Sequence, residues 1–215
     1  MPLLLAAGWW PLGKDREMPV PEPEPQVSEP KAVESVGSRS PGVAALLEWV
    51  RDRGGHAVLD LGPAVPASFR VYSDFARRVR FADVQATWSE RGWKGVLAAV
   101  PPQPEQPYDF ILGWDTLDRI PAEGRGPLME RLVEVSASDA ALHMVVRGSA
   151  EAEARPLRFS LEGTDRIRYE PAGPVRSSRP PILPAEMERM LEPFRVERGF
   201  TLKGGLREYV ARRQD

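Results

Sequence analysis

The sequence predicts an α/β domain with a mainly parallel sheet, closed by an antiparallel C-terminal hairpin and preceded by a disordered tail. Three observations carry this. Between residues 41 and 146, short apolar runs alternate with stretches of helical periodicity, the pattern of strand–helix–strand crossovers. After Phe194 the period switches to two, as in a half-buried hairpin. Upstream of Ser40 the chain is instead rich in proline and glutamate, with few large apolar side chains.

The tail comes first. From Lys14 to Ser40 the chain mixes Pro, Glu, Val and Ser, including Pro19-Val-Pro-Glu-Pro-Glu-Pro25. Repeated prolines remove amide donors and favour an extended, solvated polyproline II segment, and too little apolar surface is present to offset the entropy of ordering it. Residues 14–40 are therefore expected to be a semi-rigid tether within a disordered tail spanning residues 1–40. At its start, Met1 to Leu12 holds Leu3-Leu4-Leu5 and Trp9-Trp10, side chains suited to interfaces. This segment is expected either to be a sticky, partly ordered terminus or to dock on a partner or membrane surface.

The domain is expected over residues 41–215. Ser40-Pro41 reads as a helix N-cap and first helical position, with Val43, Leu46, Leu47 and Val50 on one face and Gly54-Gly55 ending the helix. His56 to Leu61 reads as a buried strand, and Phe69, Tyr72 and Phe75 mark a helical face after it. Arg78 to Asp83 alternates like a second strand, and Thr87 to Val100 reads as a helix. Tyr108 to Trp114 and Ala141 to Val146 read as further buried strands, separated by a helix marked by Leu128, Leu132 and Val135. Phe194, Val196, Phe200 and Leu202 alternate with polar residues before Gly204-Gly205 and Leu206 to Val210. Arg147 to Arg179 contains seven arginines among several acids, and a solvated mixed-charge insertion is the expectation there.

Composition narrows the function. The 42% hydrophobic and 28% charged content is that of a globular protein. A net charge of −2 gives no global basic field, so no nucleic-acid partner is expected. The chain has no cysteine, which excludes disulfides, thiolate metal sites and a cysteine nucleophile, and fits a cytoplasmic protein. With only His56 and His143, a histidine-rich metal site is not expected. His143 lies within a strand pattern and reads as a hydrogen-bonded core residue. No apolar run reaches the roughly 18–20 residues that span a bilayer.

At Val58-Leu-Asp-Leu-Gly62 the sequence resembles motif I of class I S-adenosylmethionine-dependent methyltransferases, in which an apolar strand ends in an acid and a glycine-rich turn. Tyr108-Asp-Phe-Ile-Leu-Gly-Trp-Asp115-Thr-Leu-Asp-Arg-Ile120 is similar to that family's fourth strand and following loop, and Phe194 to Arg212 to its closing hairpin. The Leu-Gly-Pro-Ala turn resembles a group of bacterial methyltransferase-like proteins. The resemblance, over residue 41 to the C-terminus, implies a Rossmann-like methyltransferase fold and S-adenosylmethionine as cofactor. It places Asp60, Gly62, Ala64, Asp83 and Trp114 at the cofactor and Asp115 on the substrate side. Glycine permits close backbone approach to a ligand, and a carboxylate at a strand end about 20 residues on accepts ribose hydroxyls; Asp83 occupies that place. Asp60 either organises the cofactor loop or caps the neighbouring turn, and Asp115 serves substrate or forms a turn.

The departures from the family are equally definite. Its Gly-x-Gly-x-Gly turn reads Gly62-Pro-Ala64-Val-Pro66, and each proline removes an amide that could face the ligand. Between Asp83 and Tyr108 there is room for a helix and hardly for a third strand. Two function classes follow: a methyltransferase acting on a small molecule or unidentified substrate, or an inactive pseudo-methyltransferase serving as a protein interaction module.

Overall fold

The computed structural model describes residues 36–49, 55–102, 106–150, 152, 155–173 and 180–214. The chain runs β1 (Val36–Arg39), α1 (Pro41–Glu48), β2 (His56–Asp60), α2 (Pro66–Ser73), β3 (Ala76–Phe81), α3 (Val84–Ala99) and β4 (Tyr108–Leu112). It continues through α4 (Thr116–Arg119), α5 (Ala122–Val135), β5 (Ser136–Arg147), β6 (Leu157–Leu161), β7 (Arg166–Pro171), α6 (Pro184–Leu191), β8 (Phe194–Thr201) and β9 (Leu206–Arg213). Two sheets result, one of six strands in the order β3-β2-β4-β5-β9-β8 and one of three in the order β1-β7-β6.

In the large sheet β3, β2, β4 and β5 are parallel, and β9 and β8 close it antiparallel. Side-chain alternation covers both faces. Ala57 and Leu59 of β2 join Ile111 of β4, Leu142 of β5, Val96 of α3, Leu128 and Leu132 of α5 and Leu191 of α6. Val58, Phe110 and Leu112 point the other way, into a layer with Val43, Leu46 and Leu47 of α1, Tyr72 of α2 and Phe159 of β6. This is the Rossmann-like, mainly parallel sheet closed by an antiparallel C-terminal hairpin that the sequence predicts. Among the described residues no strand lies between β3 and β4, as the short interval before Tyr108 implied: α3 lies between them, and β3 forms the sheet edge.

Three expectations need correction. Folded structure begins before Ser40, because Val36–Arg39 pairs antiparallel with β7. Residues 1–35 of the expected tail, with the Met1–Leu12 segment, lie outside the described residues. Second, the described part of Arg147 to Arg179 is not a solvated insertion. Leu157, Phe159 and Leu161 of β6 and Ile167 of β7 are buried. Each such side chain contributes about 1.5–3 kcal/mol, enough to outweigh the surrounding charge. Third, β3 stops at Phe81, so Asp83 is not its last residue but the N-cap of α3, with φ 36° and ψ 61°.

Ser40 behaves as the sequence indicates. Its Oγ accepts from Val43 N at 3.0 Å, and Pro41 occupies the first turn of α1.

Candidate cofactor crevice

The C-terminal ends of β2, β3 and β4 converge because backbone pairing continues past the strands. Ala82 N donates to Asp60 O at 2.8 Å and Asp83 N to Gly62 O at 3.1 Å. On the other side Leu61 N donates to Leu112 O at 2.9 Å, and Gly113 N to His143 O at 2.7 Å. Parallel α/β sheets bind ligands at this edge, where loops diverge beyond the strand ends.

Asp60 ends β2 almost fully buried and accepts three hydrogen bonds. Gly62 N reaches Oδ1 at 2.8 Å, the Trp114 indole N–H reaches the same oxygen at 2.5 Å, and Tyr72 Oη reaches Oδ2 at 2.7 Å. Burial pushes its carboxyl up to about 6, against the opposing pull of Tyr72, Gly62 and Trp114. Burial and the adjacent Asp60 hold the Tyr72 phenol well above its ordinary range. Asp60 therefore both organises the Gly62 turn and anchors two aromatic side chains, so the alternatives left by the sequence merge.

Trp114 is 3% exposed. It stacks on Phe159 with ring centroids 5.3 Å apart and planes 8° from parallel, and meets His143 edge-on at 5.7 Å. Its φ of 46° is a left-handed backbone that bulky residues rarely adopt. A Cβ built on Gly62 would lie 3.1 Å from Trp114 Cδ1 and 3.1 Å from Asp60 Oδ1. The glycine thus makes room for the protein's own indole.

The remaining expected site residues are not among the side-chain partners of Asp60, although Asp83 is bonded through its backbone to Gly62. Asp83 Oδ1 accepts from Ala86 N at 3.2 Å, and the residue lines a cavity of about 200 Å³ with Pro63, Ser89, Leu157 and Arg158. Ala64 is exposed. Asp115 is turned inward: its Oδ2 accepts from Arg119 Nε at 2.6 Å and from Leu157 N at 3.3 Å, and burial raises its carboxyl. Through Oδ2 it ties the loop after β4 to β6. Asp118, pushed up to about 6 by burial, accepts from Arg147 N at 2.7 Å. Both acids of the loop are structural, which favours the turn-forming reading of the sequence.

Tyr72 and Phe159 escaped the sequence reading of the site. Tyr72 was legible as a core position but not as a partner of Asp60, twelve residues away. Phe159 carried a signal, since Leu157-x-Phe159-x-Leu161 has period two amid the charge of that region.

For S-adenosylmethionine this edge offers the Asp83 carboxylate, which lines the cavity, and few amide donors. Trp114 occupies the side of Gly62 where a Cβ would stand, and Pro63 and Pro66 offer no amides. The cavity at Asp83, about 200 Å³, is smaller than the roughly 300–1,000 Å³ of ligand pockets.

No family model and no curated protein sequence matches the chain. Among solved structures, it is similar to a 1,6-didemethyltoxoflavin-N1-methyltransferase from Burkholderia thailandensis, with TM-score 0.49 and 17% identity over 81% of this chain and 77% of that one. It is also similar to a magnesium protoporphyrin IX methyltransferase from Synechocystis PCC 6803, with TM-score 0.49 and 15% identity over 80% of each chain. An S-adenosylmethionine-dependent methyltransferase from Mesorhizobium loti gives TM-score 0.47 and 14% identity over 80% of this chain and 96% of that one.

Proposed function

We propose that the chain is an S-adenosylmethionine-dependent methyltransferase-like protein whose substrate is a small molecule or an unidentified macromolecule. The observation that supports this is the adjacency of Gly62 and Asp83, joined by a 3.1 Å backbone hydrogen bond at the C-terminal edge of the parallel sheet. In that position the Asp83 carboxylate would accept ribose hydroxyls and Gly62 would admit the ligand backbone-close. The cofactor would supply an electrophilic methyl group, and the protein's part would be alignment of the acceptor. Because the prolines remove donors, binding is expected to be in the micromolar range or weaker, about 8 kcal/mol or less. Calorimetry with S-adenosylmethionine and S-adenosylhomocysteine tests this on wild type, Asp83→Ala and Asp83→Asn. Asn retains the helix cap, so loss of binding in both variants separates ligand contact from local unfolding.

A second reading, the interaction module without cofactor, rests on the amide donors that Pro63 and Pro66 remove from the turn. A correctly folded sample that gives no heat with either ligand at millimolar concentration would leave this reading standing and remove the first.

A further inference from the structure

We infer that the cavity between the start of α2 and the outward face of β6 and β7 is an oxyanion site, which takes a phosphate or carboxylate group of the acceptor molecule. That the oxyanion belongs to an acceptor rests on the methyltransferase reading; that an oxyanion binds there rests on the cavity alone.

Strand alternation builds one wall. Leu157, Phe159 and Leu161 of β6 are buried in the core, so Arg158 and Ser160 stand on the opposite face. Across the hairpin Arg158 is registered with Glu170 and Ser160 with Arg168. The Ser160 hydroxyl therefore has one arginine two residues before it and another directly opposite. These side chains line a cavity of about 290 Å³, with Val65 and Ala67 on its far side. Ser160 is only 9% exposed although its face of the strand is turned from the core. Among the described residues its hydroxyl has no hydrogen-bond partner. A buried hydroxyl gains from a partner, and a ligand oxygen in the cavity would accept from it.

The other wall is the first turn of α2. Val65 is the N-cap, Pro66 opens the helix, and no side chain caps it. First-turn amides have no partner within a helix, and the helix dipole makes that end favourable to an anion. Pro66 has no N–H, so Ala67 supplies the first such donor.

The arginines complete the site. Arg158 pairs with Glu170 at 3.5 Å, a long contact for a guanidinium that offers five N–H groups in a fixed fork. A phosphate or carboxylate can take two parallel bonds from that fork. Arg168 is held by Glu162, which fixes it across from Ser160. Arg158 also lines the cavity at Asp83. A molecule anchored at Arg158 and Ser160 is thereby held beside the carboxylate proposed for the cofactor's ribose, where alignment of the acceptor is the protein's part.

The test uses the full chain with inorganic phosphate as the probe at constant ionic strength, read by nitrogen–proton correlation NMR of backbone amides and arginine Nε–Hε groups. Phosphate should shift the Ala67 amide and the Arg158 Nε–Hε resonance along one saturable curve. Arg158→Gln should weaken binding about tenfold or more, and Ser160→Ala about threefold. Arg166→Gln removes an exposed arginine outside the cavity and should leave the affinity unchanged. Equal affinities in Arg158→Gln and Arg166→Gln, or shifts that never saturate, overturn the oxyanion site. S-adenosylhomocysteine then separates the two readings. Simultaneous binding of phosphate and S-adenosylhomocysteine supports an acceptor site beside the cofactor. Displacement of phosphate by S-adenosylhomocysteine gives the cavity to the cofactor and overturns the acceptor. Saturable phosphate binding with no binding of S-adenosylhomocysteine removes the methyltransferase reading and supports the oxyanion site by itself.

Discussion

His143 Nε2 lies 3.2 Å from Glu208 Oε1, with neither side chain exposed to solvent. Glu208 also accepts from Gly42 N at 2.8 Å and from Ser40 Oγ, so one carboxylate joins β9, β5 and the start of α1. Burial would raise this acid; the hydrogen bonds and charge of His143, with the donors of Ser40 and Gly42, outweigh it and hold the carboxyl below its ordinary value. Removing one partner of such a buried set strands the others, so Glu208→Ala should cost about 3–5 kcal/mol in urea unfolding. The sign of the pH effect follows from a lowered folded value. Glu208's contribution is present above the unfolded value of 4.5 and lost as pH falls through the folded one, steepening acid unfolding relative to Glu208→Gln.

Asp60 should behave in the opposite sense. Its folded value is raised from 3.8 to about 6, so the associated stability is complete below 3.8 and lost as pH rises through 6. Asp60→Asn keeps acceptors for Gly62 and Trp114 and removes the titration. Unfolding measured from pH 4 to 7 should show wild type losing on the order of 3 kcal/mol relative to Asp60→Asn. Parallel pH profiles for the two proteins would contradict the burial of a carboxylate at the end of β2.

Gly113 is required by packing. A Cβ there would fall 1.8 Å from Met144 Sδ and 3.3 Å from His143 O, while its own N–H is bonded to that carbonyl at 2.7 Å. Gly113→Ala should cost about 1–3 kcal/mol as an overpacked core site. Combining it with Met144→Ala should restore part of the Gly113→Ala loss, read as a non-additive denaturation midpoint.

The folded boundary lies upstream of Ser40. Limited proteolysis should yield a core that begins at or before Val36, because cleavage inside β1 would break its pairing with Tyr169 to Arg166 on β7. Deleting residues 1–40 removes the Ser40 cap as well as β1. The cap alone contributes about 0.5–2 kcal/mol, so this truncation should melt well below one that starts at residue 33. Equal melting temperatures would show that β1 adds nothing to the domain.

Patterns local in the chain were legible in the sequence. The Ser40-Pro41 start of α1, the buried runs of β2, β4 and β5, and the period-two ending of β8 and β9 all follow from backbone periodicity and capping chemistry, which neighbouring residues decide. The short interval before Tyr108 likewise foretold a sheet without a third strand, because chain length bounds what can form. What the tertiary structure alone decided is who meets whom across long separations. Trp114 reaches Asp60 from 54 residues away, and Glu208 reaches Ser40 across 168. Phe159, in a stretch whose charges hid its period-two pattern, lies flat against Trp114. Val58 to Asp60 ends a buried strand, and Gly62 beyond it lies against Asp60 and Trp114. That the close approach is made by the protein's own indole depended on the folding of β6 over the sheet edge, and side-chain packing of that kind leaves no local signature in sequence.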